Sequence, residues 1–163
     1  MPGSLIEITM PVFDYRFRVN APAEAVSAFH FEPGILKTLT PPLMIMQVKL
    51  FEPIAEGSVA EFRMWMGPVP VYWKAMHSDV STAGFTDTQV AGPMKVWIHT
   101  HRFSPLEDDA TEVHEHIEFE HHGGWRGIWS RLLFPRIGLN VLFATRAWIT
   151  RREVAKRLEK SNR

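Results

Sequence analysis

Apolar and polar residues alternate at the start of the chain. Phe13, Tyr15, Phe17 and Val19 fall on one side, and Asp14, Arg16, Arg18 and Asn20 on the other. A repeat of two puts successive side chains on opposite faces, so this is a strand with one wet face. Asn20-Ala-Pro22-Ala-Glu24 then reads as a helix start, because proline suits the first helical positions and an acid suits the positive end of the helix dipole. That helix is short. Val26 and Phe29, with Ala25 beside them, form its inner stripe, and Pro33-Gly34 ends it. Ile35, Leu36 and Leu39 predict a second short helix, stopped by Pro41-Pro42.

From Leu43 to about His121 the pattern predicts six strands: Met44–Phe51, Ser58–Met66, Val69–Val80, Phe85–Val90, Lys95–Phe103 and Thr111–Glu120. Gly/Pro turns separate most of them, and Pro105 to Ala110, with Glu107, Asp108 and Asp109, reads as a solvated loop. Strands so closely spaced form an antiparallel meander. Gly123-Gly124 opens a stretch, Trp125–Phe134, that reads as mobile. Pro135 begins a helical pattern running to about Lys160. Ile137, Val141, Ala144, Trp148 and Ala155 lie near one face of it, widened by Leu142, Ala147, Val154 and Leu158.

The order is strand, two short helices, six strands, long helix. A meander with one apolar face must be covered, and the C-terminal helix is the long amphipathic element that can do it. The expected architecture is α+β: a curved seven-stranded antiparallel sheet wrapped around the C-terminal helix. A hollow between them becomes a ligand chamber if side chains do not fill it. No repeat or linker divides the chain, so residues 1–163 read as a single domain.

Composition narrows the function. A chain of 163 residues suits one domain. The absence of cysteine excludes a disulfide framework, thiolate metal sites and a cysteine nucleophile. Eighteen basic residues balance eighteen acidic ones, which argues against nucleic acid as a partner. There is no apolar run long enough for a membrane span. Met1 to Phe13 lacks the basic start and apolar run of a signal peptide, so a cytoplasmic protein is expected. Eleven Phe, six Trp and eight Met favour an adaptable apolar pocket as well as a well-filled core.

Several segments carry a resemblance. Phe17-Arg-Val-Asn-Ala-Pro-Ala-Glu-Ala-Val26 resembles the strand-to-helix opening of the SRPBCC (START / Bet v 1-like) superfamily. Leu39-Thr-Pro-Pro42, Gly84-Phe-Thr-Asp-Thr-Gln-Val-Ala-Gly-Pro-Met94 and Trp97-Ile-His-Thr-His-Arg-Phe103 resemble recurring segments of a bacterial cyclase/dehydrase-like, ligand-binding branch of it. The resemblance runs from about Phe13 to Arg157. It implies the helix-grip fold, shared by lipid carriers, hormone receptors and aromatic polyketide cyclases. Fold alone does not choose among these.

Strand alternation predicts which side chains face the hollow. Val71, Trp73, Ala75 and His77 share one face of the fourth strand. Phe85, Asp87, Gln89 and Ala91 share a face of the fifth, Trp97, His99, His101 and Phe103 of the sixth, and Val113, Glu115, Ile117 and Phe119 of the seventh. Short turns set Asp87 near His99, Glu115 near His99 or His101, and His77 near Asp87 or Gln89. His77, Asp87, His99, His101 and Glu115 then form one polar band on an apolar concave face. The expected ligand contacts are Trp73, His77, Phe85, Gln89, Trp97, Phe103, Ile117 and Phe119 on the sheet, with Val141 and Trp148 on the long helix.

A carboxylate beside a histidine fixes its tautomer and raises its basicity. Such a histidine removes a proton next to a carbonyl or protonates a departing hydroxyl, the steps of aldol cyclisation and dehydration. His99 and His101 are the acid/base candidates, oriented by Asp87 and Glu115. The same groups also make sense as a buried hydrogen-bond network. His99-x-His101 with a carboxylate is a common strand pattern, and no metal or other cofactor is expected. His114-x-His116 and His121-His122 are read as outward or loop residues, and His30 as a helix cap or surface group. Trp125–Phe134 reads as a core-closing loop, a lid, or a patch that touches a membrane surface. The expected partner is a small hydrophobic molecule. Binder, cyclase/dehydratase and lipid carrier stay open, as do monomer and homodimer.

Overall fold

The computed structural model describes residues 10–107, 109–161 and 163. Most of the segment read for a signal peptide, and Asp108 of the acidic loop, lie outside them. The elements are β1 (Val12–Val19), α1 (Ala23–His30), α2 (Ile35–Thr38), β2 (Ile45–Phe51), β3 (Val59–Met66), β4 (Val69–Ser81), β5 (Gly84–Ala91), β6 (Val96–Leu106), β7 (Ala110–Glu120), α3 (Gly124–Leu133) and α4 (Arg136–Ser161). Strand limits fall within about three residues of those expected from the hydrophobic pattern.

The seven strands form one antiparallel sheet in the order β1-β7-β6-β5-β4-β3-β2. Strands β2 to β7 are a meander, as the short turns require. The first strand pairs with the last, so α1 and α2 carry the chain from one sheet edge to the other. Thr111 fixes the β7 end of this arrangement by donating its hydroxyl hydrogen to the Ala21 carbonyl, at 2.8 Å. Gly84 has φ +146°, and a side chain there would run into the His101 carbonyl. Glycine therefore lets β5 approach β6 closely just beside the polar band.

Period-two alternation holds cleanly where it matters. Trp97, His99, His101 and Phe103 of β6 are buried, as are Val113, Glu115, Ile117 and Phe119 of β7. Helix α4 covers this face. Its C-terminal half is anchored by Arg157, whose guanidinium makes a paired contact with both Glu32 carboxylate oxygens (2.6 and 2.7 Å), and by Arg151, which donates to the Arg18 carbonyl.

Two expectations for this half of the molecule are corrected. The buried residues of α4 are Leu139, Phe143, Ala147, Ile149, Thr150 and Val154, of which Ala147 and Val154 belong to the expected stripe. The stripe built on Ile137, Val141 and Trp148 faces outward, with exposures of 79%, 63% and 56%. Both stripes have helical spacing. Side-chain size favours the outer one in the sequence, whereas in the fold the small Ala147 and Thr150 are buried. Residues 124–133 are a helix, α3, rather than a loop. Gly127 is buried within it, and a side chain at that position would strike the His122 carbonyl. The core-closing reading of this segment fits only Leu133 and Phe134, which turn inward. Trp125, Ile128, Trp129 and Leu132 are exposed. Among the described residues no helix is long and apolar enough to cross a membrane.

Among the described residues the interior has two apolar clusters. One gathers Phe62, Trp73, Trp97, Ile117, Phe119 and Phe143. The other gathers Phe17, Val26, Phe29, Phe85, Phe103, Val113 and Val154. Along β6 and β7 the residues between the clusters are His99, His101 and Glu115, so the polar band is the seam between two apolar halves.

Candidate functional site

A chamber of about 180 Å³ lies between the sheet and α4. A dry cavity of ~150 Å³ holds benzene, so this one takes a one- or two-ring molecule or a short acyl chain. Its wall is mostly aromatic and thioether: Phe51, Phe62, Trp73, Phe85 and Trp97 from the sheet, Met44, Met46, Met64 and Met66 near β2 and β3, and Leu139, Leu142 and Phe143 from α4. His30, His77, Asp87, His99, His101 and Arg146 supply the polar part.

Register brings the band together. Asp87 stands opposite His99 and His77, and His101 opposite Glu115. The hydrogen bonds then run diagonally between strands. His99 Nε2 donates to Glu115 Oε2 at 2.8 Å, and His101 Nε2 donates to Asp87 Oδ2 at 3.0 Å. His101 Nδ1 lies 2.7 Å from the same Glu115 oxygen, a charge contact without the alignment of a hydrogen bond. His77 Nε2 is 3.1 Å from Asp87 Oδ1. Its Nδ1 lies 3.1 Å from the Ser58 carbonyl, which can only accept. Asp87 is thus held by His77, directly across on β4, and by His101 on the diagonal, rather than by His99, directly across on β6.

The two central histidines are driven apart in protonation. Burial and the neighbouring His101 charge hold His99 down to about 4. Burial opposes charge on His101 as well, but Glu115 and Asp87 outweigh it and raise His101 to about 9. Burial would raise both carboxylates, yet His101 with His77 holds Asp87 well below its ordinary value, and His101 with His99 does the same for Glu115. At neutral pH His101 is an imidazolium clasped by two carboxylates. His99 is neutral, its Nε2 hydrogen is given to Glu115, and Nδ1 is its remaining acceptor. Paired groups separated in this way mark acid and base roles, and structural networks produce them too.

Of the expected ligand contacts, Trp73, His77, Phe85 and Trp97 line the chamber, with Asp87, His99 and His101. Glu115 is buried behind the two histidines. Phe103, Ile117 and Phe119 pack in the clusters without reaching the chamber. Gln89 turns its amide to the Met94 backbone. Val141 and Trp148 are exposed, so neither is a chamber contact; Leu142 and Phe143 take their place.

His30 is also corrected. It is 2% exposed, donates from Nδ1 to the Val26 carbonyl at 2.8 Å, and stacks near Phe103. Burial lowers it to about 4. Nothing in a short helix of apolar residues distinguishes a buried terminal histidine from a surface one. Arg146 is hidden in the sequence for a similar reason, standing among seven basic residues between 146 and 163.

Donor atoms of Asp87, His99 and His101 lie within 4.8 Å of one another, as do those of Asp14, His114 and His116 on the outer face. A metal at the inner group must displace the proton that His101 holds to about 9, which opposes binding near neutrality. In the outer group His114 and His116 both point at Asp14 Oδ1, at 2.6 and 2.8 Å.

No protein-family model matches the chain, and no curated protein matches it in sequence. Solved structures do match. The Zhui aromatase/cyclase from Streptomyces sp. R1128 superposes with a TM-score of 0.73 at 14% identity, over 91% of this chain and 96% of that one. Norcoclaurine synthase from Thalictrum flavum, in complex with dopamine and hydroxybenzaldehyde, gives 0.65 at 14% identity over 86% of both chains. Ara h 8.0201 gives 0.65 at 9% identity, over 90% of this chain and 99% of the other. At such identities the likeness is one of architecture: this chain has the helix-grip fold that these structures share.

Proposed function

We propose that the protein binds one small apolar molecule, ring-bearing or acyl, between the sheet and α4, with an oxygen function turned toward His99. The observation that carries this reading is the chamber itself: an internal space of about 180 Å³ with aromatic and methionine walls and one polar side. Two structures of this fold support it, one described as an aromatase/cyclase and the other a norcoclaurine synthase in complex with dopamine and hydroxybenzaldehyde. Ala75 is buried on the chamber wall. Ala75→Phe fills that space and is expected to weaken 2-naphthol binding at least tenfold, read by quenching of Trp73 and Trp97. Overpacking costs ~1–3 kcal/mol, so the variant still folds. Equal affinity in both proteins overturns the reading.

The opposed protonation states of His99 and His101 favour a second reading at the same site, acid–base chemistry of the cyclase/dehydratase kind. Neutral His99 takes a proton from the carbon beside a carbonyl, and the electron pair moves onto the oxygen as an enolate. Where a hydroxyl stands on the next carbon, the enolate's electron pair returns to form a carbon–carbon double bond as that C–O bond breaks, and His99 gives its proton to the departing hydroxyl, which leaves as water. The apolar walls keep bulk water from the enolate. With 2-tetralone as the probe, deuterium uptake at the carbons beside the carbonyl is expected to be accelerated by the protein. His99→Gln should abolish the acceleration even at saturating 2-tetralone. Acceleration that survives the substitution removes His99 from this role.

A further inference from the structure

Among the described residues, Arg146 is the only lysine or arginine on the chamber wall. Its Nε is buried without an acceptor, and among the described residues its guanidinium has no ion-pair partner. Other arginines of α4 behave differently: Arg151 is satisfied by a backbone carbonyl and Arg157 by Glu32. Glu115 and Asp87 favour the Arg146 charge through space but make no hydrogen bond or ion pair with it: Glu115 Oε2 is shared by His99 and His101, and the two Asp87 oxygens by His77 and His101. Beside the guanidinium lies the Phe143 ring, at 5.4 Å from its central carbon. His30, another polar side chain on that wall, is neutral and gives its Nδ1 hydrogen to Val26.

A buried cation is costly unless an anion or several acceptors meet it. Arginine carries five donors in a planar fork that matches two oxygens of a carboxylate. A guanidinium whose Nε has no acceptor, on the wall of an apolar chamber, offers the donors that an anionic group needs.

We infer that Arg146 anchors an acidic group, so the chamber's ligand is an apolar carboxylate whose ring or chain packs on Phe62, Trp73 and Phe143 while its carboxylate meets the guanidinium. This rests on the chamber being a ligand site, as proposed above. It narrows the ligand class from apolar molecules in general to aromatic or acyl acids. It also gives the ligand a direction, with the acid toward α4 and the polar band.

The test compares 2-naphthoic acid with 2-naphthamide, which has the same shape and no charge at pH 7.5. The acid is expected to bind at least tenfold more tightly to the native protein. Arg146→Met should weaken the acid at least tenfold and leave the amide within about twofold. Arg146→Lys, which keeps a point charge and loses the fork, should fall between. Equal binding of acid and amide to the native protein overturns the inference, as does an acid preference that survives Arg146→Met. Amide binding without acid preference leaves the chamber reading standing. Binding of neither compound removes the chamber reading along with this one.

Discussion

Glu115→Leu is expected to lower the melting temperature by about 10 °C. Glu115 is 4% exposed and sits in the middle of β7, where one of its oxygens receives His99 and faces His101. Removing the carboxylate leaves the His99 donor without an acceptor and strips a charged His101 of one of its two counter-charges. Breaking a buried ion pair from one side costs ~3–5 kcal/mol, and each kcal/mol shifts the transition by ~2–4 °C in a domain of this size. Glu115→Gln keeps an acceptor and should cost less. Glu112, paired with Arg16 at 2.8 Å on the surface, is the control: Glu112→Gln should change stability by under ~1 kcal/mol. Thermal unfolding of the three variants decides the matter. A Glu115→Leu loss no larger than the surface control would mean that the band is not a buried charged network.

The second large effect is a stability maximum near pH 6.5. His101 ordinarily titrates near 6.5 and is raised to about 9 in the fold. Between those values the folded chain keeps a proton that the unfolded chain has released. The stabilisation is therefore complete below 6.5 and lost as the pH climbs through 9. His77 is raised as well and acts in the same direction. On the acid side, His99 and His30 are held down to about 4. From 6.5 down to 4 the unfolded chain takes up protons that these buried rings refuse, and stability falls. Asp87 and Glu115, both lowered, extend the loss as acidity increases. A tenfold difference in proton affinity between folded and unfolded chain is worth ~1.4 kcal/mol, so each arm amounts to a few kcal/mol. Urea midpoints from pH 4.5 to 9 should trace this dome, and His101→Gln should flatten its alkaline arm. A native profile that is level from 6.5 to 9 would contradict the assignment of His101.

The sheet half of the site is legible in the sequence because two local rules suffice there. Alternation chooses the inward faces of β6 and β7, and short turns fix the pairings of Asp87 with His99 and of His101 with Glu115. Which partner each side chain then takes is not legible. The diagonal bonds from His99 to Glu115 and from His101 to Asp87 depend on strand twist and ring orientation. Helix α4 is harder because it carries two apolar stripes, and only the sheet decides between Phe143 and Val141. His30 and Arg146 are hidden for the same reason. Their burial is set by elements distant in sequence, and their residue types normally mark a surface. Gly123 and Gly124 give a misleading signal. Such a pair suggests a mobile stretch, yet Gly123 caps α3 and Gly124 begins it, with φ +61°.

The central claim is that the inner histidines look into a space that a ligand occupies. Long-range proton–nitrogen spectra of the histidine rings, recorded while 2-naphthol is added, test it without knowledge of the natural ligand. Saturable shifts at His99 and His101, with His114 and His116 on the outer face unmoved, are the predicted result. Inner rings that stay fixed at concentrations where the tryptophan signal saturates would contradict it.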